Sequence, residues 1–165
     1  MSGTGKSTLL AELATRGCWT VDTDYGGYFE TVDGEPLWIE ERIDELLSTE
    51  DPRGVLIVAG TTRNQVDFYP RFDHVVLLSA PTDVLVQRLR TRTNNPYGQN
   101  PAEIAATLDG LVEVEPLLRA AATVEVITTI PVPAVADAVL AHVVPSGVTR
   151  TAAGAHANAK YRNHR

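Results

Sequence analysis

The sequence predicts a three-layer α/β fold in which helices cover both faces of a parallel sheet. Three observations carry that prediction. The chain opens with Met1-Ser2-Gly3-Thr4-Gly5-Lys6-Ser7-Thr8, which matches the phosphate-binding loop (P-loop) pattern G-x-x-x-x-G-K-[ST] except for its opening glycine. Residues 54–59 and 74–78 are apolar runs of the kind found in strands buried on both faces. Helical segments alternate with the strand-like runs along the chain.

The loop comes first because its residue types define a chemistry. Gly3 and Gly5 allow successive backbone N–H groups to turn inward and form an anion-binding nest. The following helix aims its own N-terminal N–H groups at the same point. Lys6 is expected to reach the β and γ oxygens of a nucleoside triphosphate, and the Ser7 hydroxyl to ligate magnesium. Thr8 adds a hydroxyl suited to a further phosphate contact. A flexible Gly/Ser/Thr leader is the plain alternative. Against it, Leu9-Leu10-Ala11-Glu12-Leu13-Ala14 follows at once as an apolar-faced helix, the context the motif requires.

The remaining elements follow in order. Residues 18–21 form a short strand ending in Asp22-Thr23-Asp24, with Tyr25-Gly26-Gly27 turning away. Residues 35–48 read as helical, with Leu37, Ile39, Ile43, Leu46 and Leu47 on the buried side. The strand at 54–59 leads through a loop containing Arg63, Asn64, Tyr69, Pro70 and Arg71 to the strand at 74–78. A helix runs from Pro81 to about Arg92, and Asn94-Asn95-Pro96-Tyr97-Gly98 is turn chemistry. Residues 102–122 are mostly helical with a break near Pro116, 124–127 are the last strand, and 133–143 the last helix.

Composition narrows the functions. At 165 residues the chain holds one domain, set at 1–144, with 145–165 read as a disordered tail. That tail carries Arg150, Lys160, Arg162 and Arg165 and no acid. The net charge of −7 argues against general nucleic-acid binding. No apolar run approaches a membrane-spanning length, so no membrane partner is expected. One cysteine, Cys18, excludes an intrachain disulfide and suits a reducing cytoplasm, the expected location. The oligomeric state is not legible; a monomer is the working expectation.

The loop at Ser2 to Thr8, the pair Asp22-x-Asp24 after a strand and the Arg88-x-x-x-Arg92 spacing ahead of a turn together resemble the small P-loop kinases. This group contains adenylate kinase, shikimate kinase and related nucleoside and metabolite kinases, and many members carry only a generic AAA-family ATPase label. The resemblance covers roughly residues 1–143 by element order. It implies a P-loop NTPase sheet of strand order 2-3-1-4-5, with ATP and Mg2+ as cofactors and a small-molecule phosphoryl acceptor as partner. It also implies residue roles: Asp22 helps hold magnesium, Asp24 orients or deprotonates the acceptor, Arg88 packs on the nucleotide base, and Arg92 touches phosphate from a mobile lid. Lys6, Asp24, Arg88 and Arg92 are thus the expected catalytic set. Read without the resemblance, the pair can instead end the strand in an Asx-turn, with Asp24 bonding backbone near Gly26, and the arginines form a solvated helix face.

Departures from the family pattern matter too. The strand at 54–59 ends Ala59-Gly60-Thr61-Thr62, with neither an acidic residue nor a glycine triplet. Ile39 stands where shikimate kinases place an arginine after their aromatic residue, which makes shikimate itself a doubtful acceptor. Arg42, Arg63 and Asn64 are weaker acceptor-side candidates, Trp38 reads as core, and Thr128 and Thr129 are expected to border the adenine by resemblance alone. In the family topology the strand feeding the P-loop is central, and here it is missing. Met1 is therefore expected to be an internal methionine of a longer natural chain, with an apolar stretch ending in glycine encoded in frame upstream. Two rival functions stay open: a nucleotide-dependent switch without a small acceptor, and an inactive truncated remnant.

Overall fold

Lys6–Thr15 forms the first helix, α1, and Gly5 starts it from a left-handed backbone, φ 93°. That conformation is open to glycine and strained for other residues, which explains the residue type at this point of the loop. The structure, a computed structural model, describes residues 2–50, 52–93 and 97–143. The expected turn residues Asn94, Asn95 and Pro96, and the tail at 145–165, lie outside the described residues.

After α1 come β1 (Trp19–Asp22), β2 (Phe29–Val32), β3 (Glu35–Trp38), α2 (Glu40–Ser48) and β4 (Leu56–Ala59). A 3₁₀ segment, Arg63–Arg71, leads to β5 (Val76–Ser79), and α3 (Thr82–Thr91) follows. The chain continues through α4 (Pro101–Glu113), α5 (Glu115–Ala121), β6 (Val124–Ile127) and α6 (Val132–Val143). The fold is α/β, as expected from the alternation of buried-type strands with helices.

One expectation is corrected. Residues 35–48 are not one helix: Glu35–Trp38 is a strand, paired antiparallel with Phe29–Val32, and helix begins only at Glu40. The cause is local. Asp33 and Gly34 both take positive φ, 54° and 83°, the turn that closes two-residue hairpins. Among the described residues the parallel strands form two pairs, β1 with β4 and β5 with β6, consistent with a sheet whose central strand is absent from the chain. Between β4 and β5 lies a cavity of about 680 Å³, bounded by both strands and by Leu9, Leu10 and Leu13 of α1.

The helices pack in two layers. Leu9 and Leu13 of α1 join Cys18, Val126 and the α6 residues Val135, Ala136 and Val139 in one buried cluster. Arg16 reinforces it, bonding Glu12 on its own helix, Asp137 on α6 and the Pro133 carbonyl. Asp137 and Glu12 raise the Arg16 pKa, with the Asp137 hydrogen bond the largest cause. A second cluster of Trp38, Ile43 and Phe68 holds the hairpin, α2 and the 3₁₀ segment together. Trp38 meets Phe68 edge-on at 5.8 Å, and only 4 % of it is exposed, so the expectation that it belongs to the core stands.

The hairpin is latched by polar groups as well. The Trp38 indole N–H donates to Thr23 Oγ1 at 3.0 Å. Asn64 serves Trp38 twice, accepting its amide and donating to its carbonyl, each at 3.0 Å. Gly60 passes between Thr23 and Trp38 so closely that a Cβ there would collide with Thr23 Oγ1 and come within 2.9 Å of the indole. Gly60→Ala is therefore expected to destabilise the fold by about 1–3 kcal/mol, the usual cost of overpacking. Thermal unfolding checks this, and an unchanged midpoint would show that the latch yields freely.

Candidate active site

The carboxyl ends of the parallel strands meet the start of α1, the edge at which open parallel sheets take ligands. Gly3 and Gly5 both have positive φ, 82° and 93°, so the loop is in a conformation from which backbone N–H groups can converge. Gly3 packs over α3: a Cβ on it would sit 3.4 Å from the Leu85 carbonyl and 3.5 Å from Leu89. Thr4 is buried and Lys6 half-buried, while Ser7 and Thr8 are exposed on the first turn of α1. Ser2 lies half-buried at the loop's entrance.

Ser7 and Asp22, the two residues assigned to metal, are brought together. The Ser7 hydroxyl donates to Asp22 Oδ2 at 2.7 Å. The other carboxylate oxygen of Asp22 accepts the backbone N–H of Asp24 at 3.3 Å. An Asx-turn thus does end the strand, but Asp22 makes it, and the exposed Asp24 carboxylate is left pointing out of that turn. A hydroxyl that donates its proton to a carboxylate keeps its lone pairs, so Ser7 and Asp22 form a hard-oxygen pair suited to magnesium. Among the described residues no cluster of three or more His, Cys, Asp or Glu side chains could hold a metal alone.

Arg88 on α3 and Arg92 just past its end part company. Arg88 reaches the loop, donating to the Gly3 carbonyl at 3.2 Å, to Thr128 Oγ1 at 2.9 Å and to the Thr128 carbonyl. Thr128 in turn binds the end of β5, its N–H donating to the Ser79 carbonyl at 2.8 Å. One guanidinium therefore ties the P-loop to the loop that follows β6. Arg92 is not brought to the P-loop. Its guanidinium donates to the Tyr97 carbonyl, at 2.9 Å through Nε, and lies 5.7 Å from the centre of the Tyr97 ring. It clasps the segment between α3 and α4.

Of the weaker candidates, Arg42 bonds the carbonyls of Gly26 and Gly27 and stacks on Tyr28 at 5.5 Å, closing the turn after Asp24. Asn64 is engaged by the hairpin, and Arg63 is exposed at the start of the 3₁₀ segment. Sequence reasoning missed two features. One is the Arg88–Thr128 link, which joins residues forty positions apart and leaves no local signal. The other is the hairpin beside the acceptor-side edge, which the Asp33-Gly34 dipeptide does announce.

A family model described as an AAA domain matches residues 1–109. The fold is similar to that of a shikimate kinase from Acinetobacter baumannii solved in complex with shikimate, with a TM-score of 0.62. That match has 22% sequence identity and covers 89% of this chain and 90% of the other. Among curated proteins, no sequence match was found.

Proposed function

The chain belongs to the AAA-domain family, and from that premise we propose that it is an ATP phosphotransferase, moving the γ-phosphoryl group to a small-molecule acceptor. The acceptor is a nucleoside, a nucleotide or a shikimate-like metabolite. The observation that supports this reading best is the Ser7–Asp22 hydrogen bond at the mouth of a glycine-shaped loop. A loop, a hydroxyl and a carboxylate converge where a nucleotide's phosphates and their cation would be held.

Each residue then has a task. Backbone N–H groups from Gly3 to Thr8 hold the phosphate oxygens, and the Lys6 ammonium neutralises charge as it spreads over the transferring group. Ser7 and Asp22 would hold Mg2+. When bound, the ion would supply charge neutralisation to the phosphates. Asp24 orients the acceptor hydroxyl and takes its proton as the acceptor oxygen bonds to the γ-phosphorus and the bond to the β-bridging oxygen breaks. Arg88 braces the loop beside the nucleotide. Arg92 would reach phosphate once its contact with Tyr97 opens.

The test is a screen for ADP release from MgATP with nucleosides, nucleotides and hydroxy acids as acceptors. A stimulation over the acceptor-free rate by at least about 10²-fold, of the size proton transfer and positioning provide, is the expected result. ATP hydrolysis that no acceptor accelerates would overturn the kinase reading.

A further inference from the structure

Arg42 does more than close a turn. Its Nη1 donates to the carbonyls of Gly26 and Gly27, just past Asp24. A Cβ on Gly27 would lie 2.7 Å from that nitrogen, so glycine is what lets the guanidinium settle against the chain. The group also lies over the Tyr28 ring, 5.5 Å from its centre. Ring and carbonyls hold the side chain in place, so little rotamer freedom is left to lose when a ligand arrives.

The rest of the guanidinium is uncommitted. Arg42 is exposed, and among the described residues its Nε and Nη2 have no acceptor. Arg16, Arg71 and Arg119 each meet a carboxylate. Arg42 meets only neutral groups, although α2 also carries Glu40, Glu41 and Glu45. Nε and Nη2 share one edge of the planar group, and such an edge takes two oxygens at once. Arg119 shows the grip: its Nε and Nη2 donate to the two carboxylate oxygens of Glu125, each at 3.0 Å. Arg42 leaves that same edge unengaged by any described residue.

We infer that Arg42 determines acceptor specificity, and that the acceptor carries an anionic group, a carboxylate or a phosphate monoester, beside the hydroxyl served by Asp24. The inference rests on the phosphotransfer reading and narrows it, because neutral nucleosides leave the acceptor class. The charge of the chain sharpens the choice. Its net −7 opposes an anionic small molecule wherever no donor edge is preorganised to receive it. A neutral acceptor gains nothing from the fork and binds more weakly.

The experiment follows the Arg42 Nε–H signal and the Gly26 and Gly27 amides by proton–nitrogen NMR. The probes are two matched pairs, AMP with adenosine and glycerate with glycerol. At least one anion is expected to shift all three signals saturably, with a Kd at or below about 1 mM, while its neutral counterpart leaves them in place. AMP alone doing so identifies a phosphate site, and glycerate alone a carboxylate site. In Arg42→Gln the glycine amides should lose that response. Arg42→Lys should recover it only in part, because an ammonium lacks the fork. In the ADP-release assay Arg42→Gln should raise the KM for the stimulating acceptor by about tenfold or more, with the KM for ATP within about twofold. Neutral and anionic probes acting alike overturn the inference, as does an Arg42 signal that neither anion moves. Glycine amides that respond equally in Arg42→Gln overturn it too, leaving the arginine as a fastener of the turn. A saturable anion shift without acceptor-stimulated ADP release upholds this subsite and overturns the kinase reading, so the two fail separately.

Discussion

Lys6→Ala is expected to lower phosphoryl transfer by roughly 10²–10³-fold, the loss that follows removal of one preorganised charge-stabilising group. The fold should survive. The buried face of α1 is built by Leu9, Leu10 and Leu13, and the helix is tied to α6 through Arg16. Lys6 stands on the first turn, half-buried beside the loop, outside both apolar clusters. Steady-state ADP production and a thermal melt on the same sample separate the two effects. Unchanged turnover would refute the assignment of this loop to phosphate. A melt lowered by many degrees would make the lysine structural.

Asp24→Asn is the second large effect. The substitution keeps the shape of the turn, because its backbone N–H still donates to Asp22 and only an exposed carboxylate becomes an amide. An amide cannot take the acceptor's proton, so kcat should fall by about 10²–10⁴-fold while the KM for ATP stays near its starting value. Asp22→Asn gives the contrasting pattern. It weakens the oxygen that receives the Ser7 hydroxyl, and its effect should grow as free magnesium is lowered. Equal losses of ATP affinity and turnover in the Asp24 variant would move that residue from acceptor to nucleotide.

How far the sequence could be read depended on whether a residue's role is local. The strands at 54–59 and 74–78 were legible to within two residues because apolar runs signal burial, and the one at 124–127, where Val124 and Val126 flank Glu125, to its last residue. Ser7 and Asp22 were legible as partners because a P-loop fixes which edge of the sheet is active. The segment 35–48 was misread for a physical reason. Leu37 and Ile39 sit at spacings that continue the apolar face of the helix beginning at Glu40, while Pro36 and the Asp33-Gly34 turn belong to a hairpin. The turn dipeptide was the stronger signal. Trp38 decides the matter only in three dimensions, where Thr23, Asn64 and Phe68 converge on it.

The two arginines make the same point. Four residues apart, Arg88 and Arg92 look equivalent in the sequence, as if on one helix face, but the helix ends at Thr91 and Arg92 is extended. Tertiary structure separates them, because Gly3 and Thr128 lie within reach of one and Tyr97 of the other. Arg42 and Asn64, polar residues placed near an acceptor edge, turn out to fasten the turn and the hairpin that shape it.

The measurement that bears most directly on all of this is calorimetric titration of MgATP into the chain. One binding event with a Kd between about 1 μM and 1 mM, the working range of substrate affinities, is the predicted result, and it should vanish in Lys6→Ala. Absence of heat with both MgATP and MgGTP in the folded protein would contradict a phosphate-gripping loop and the function proposed from it.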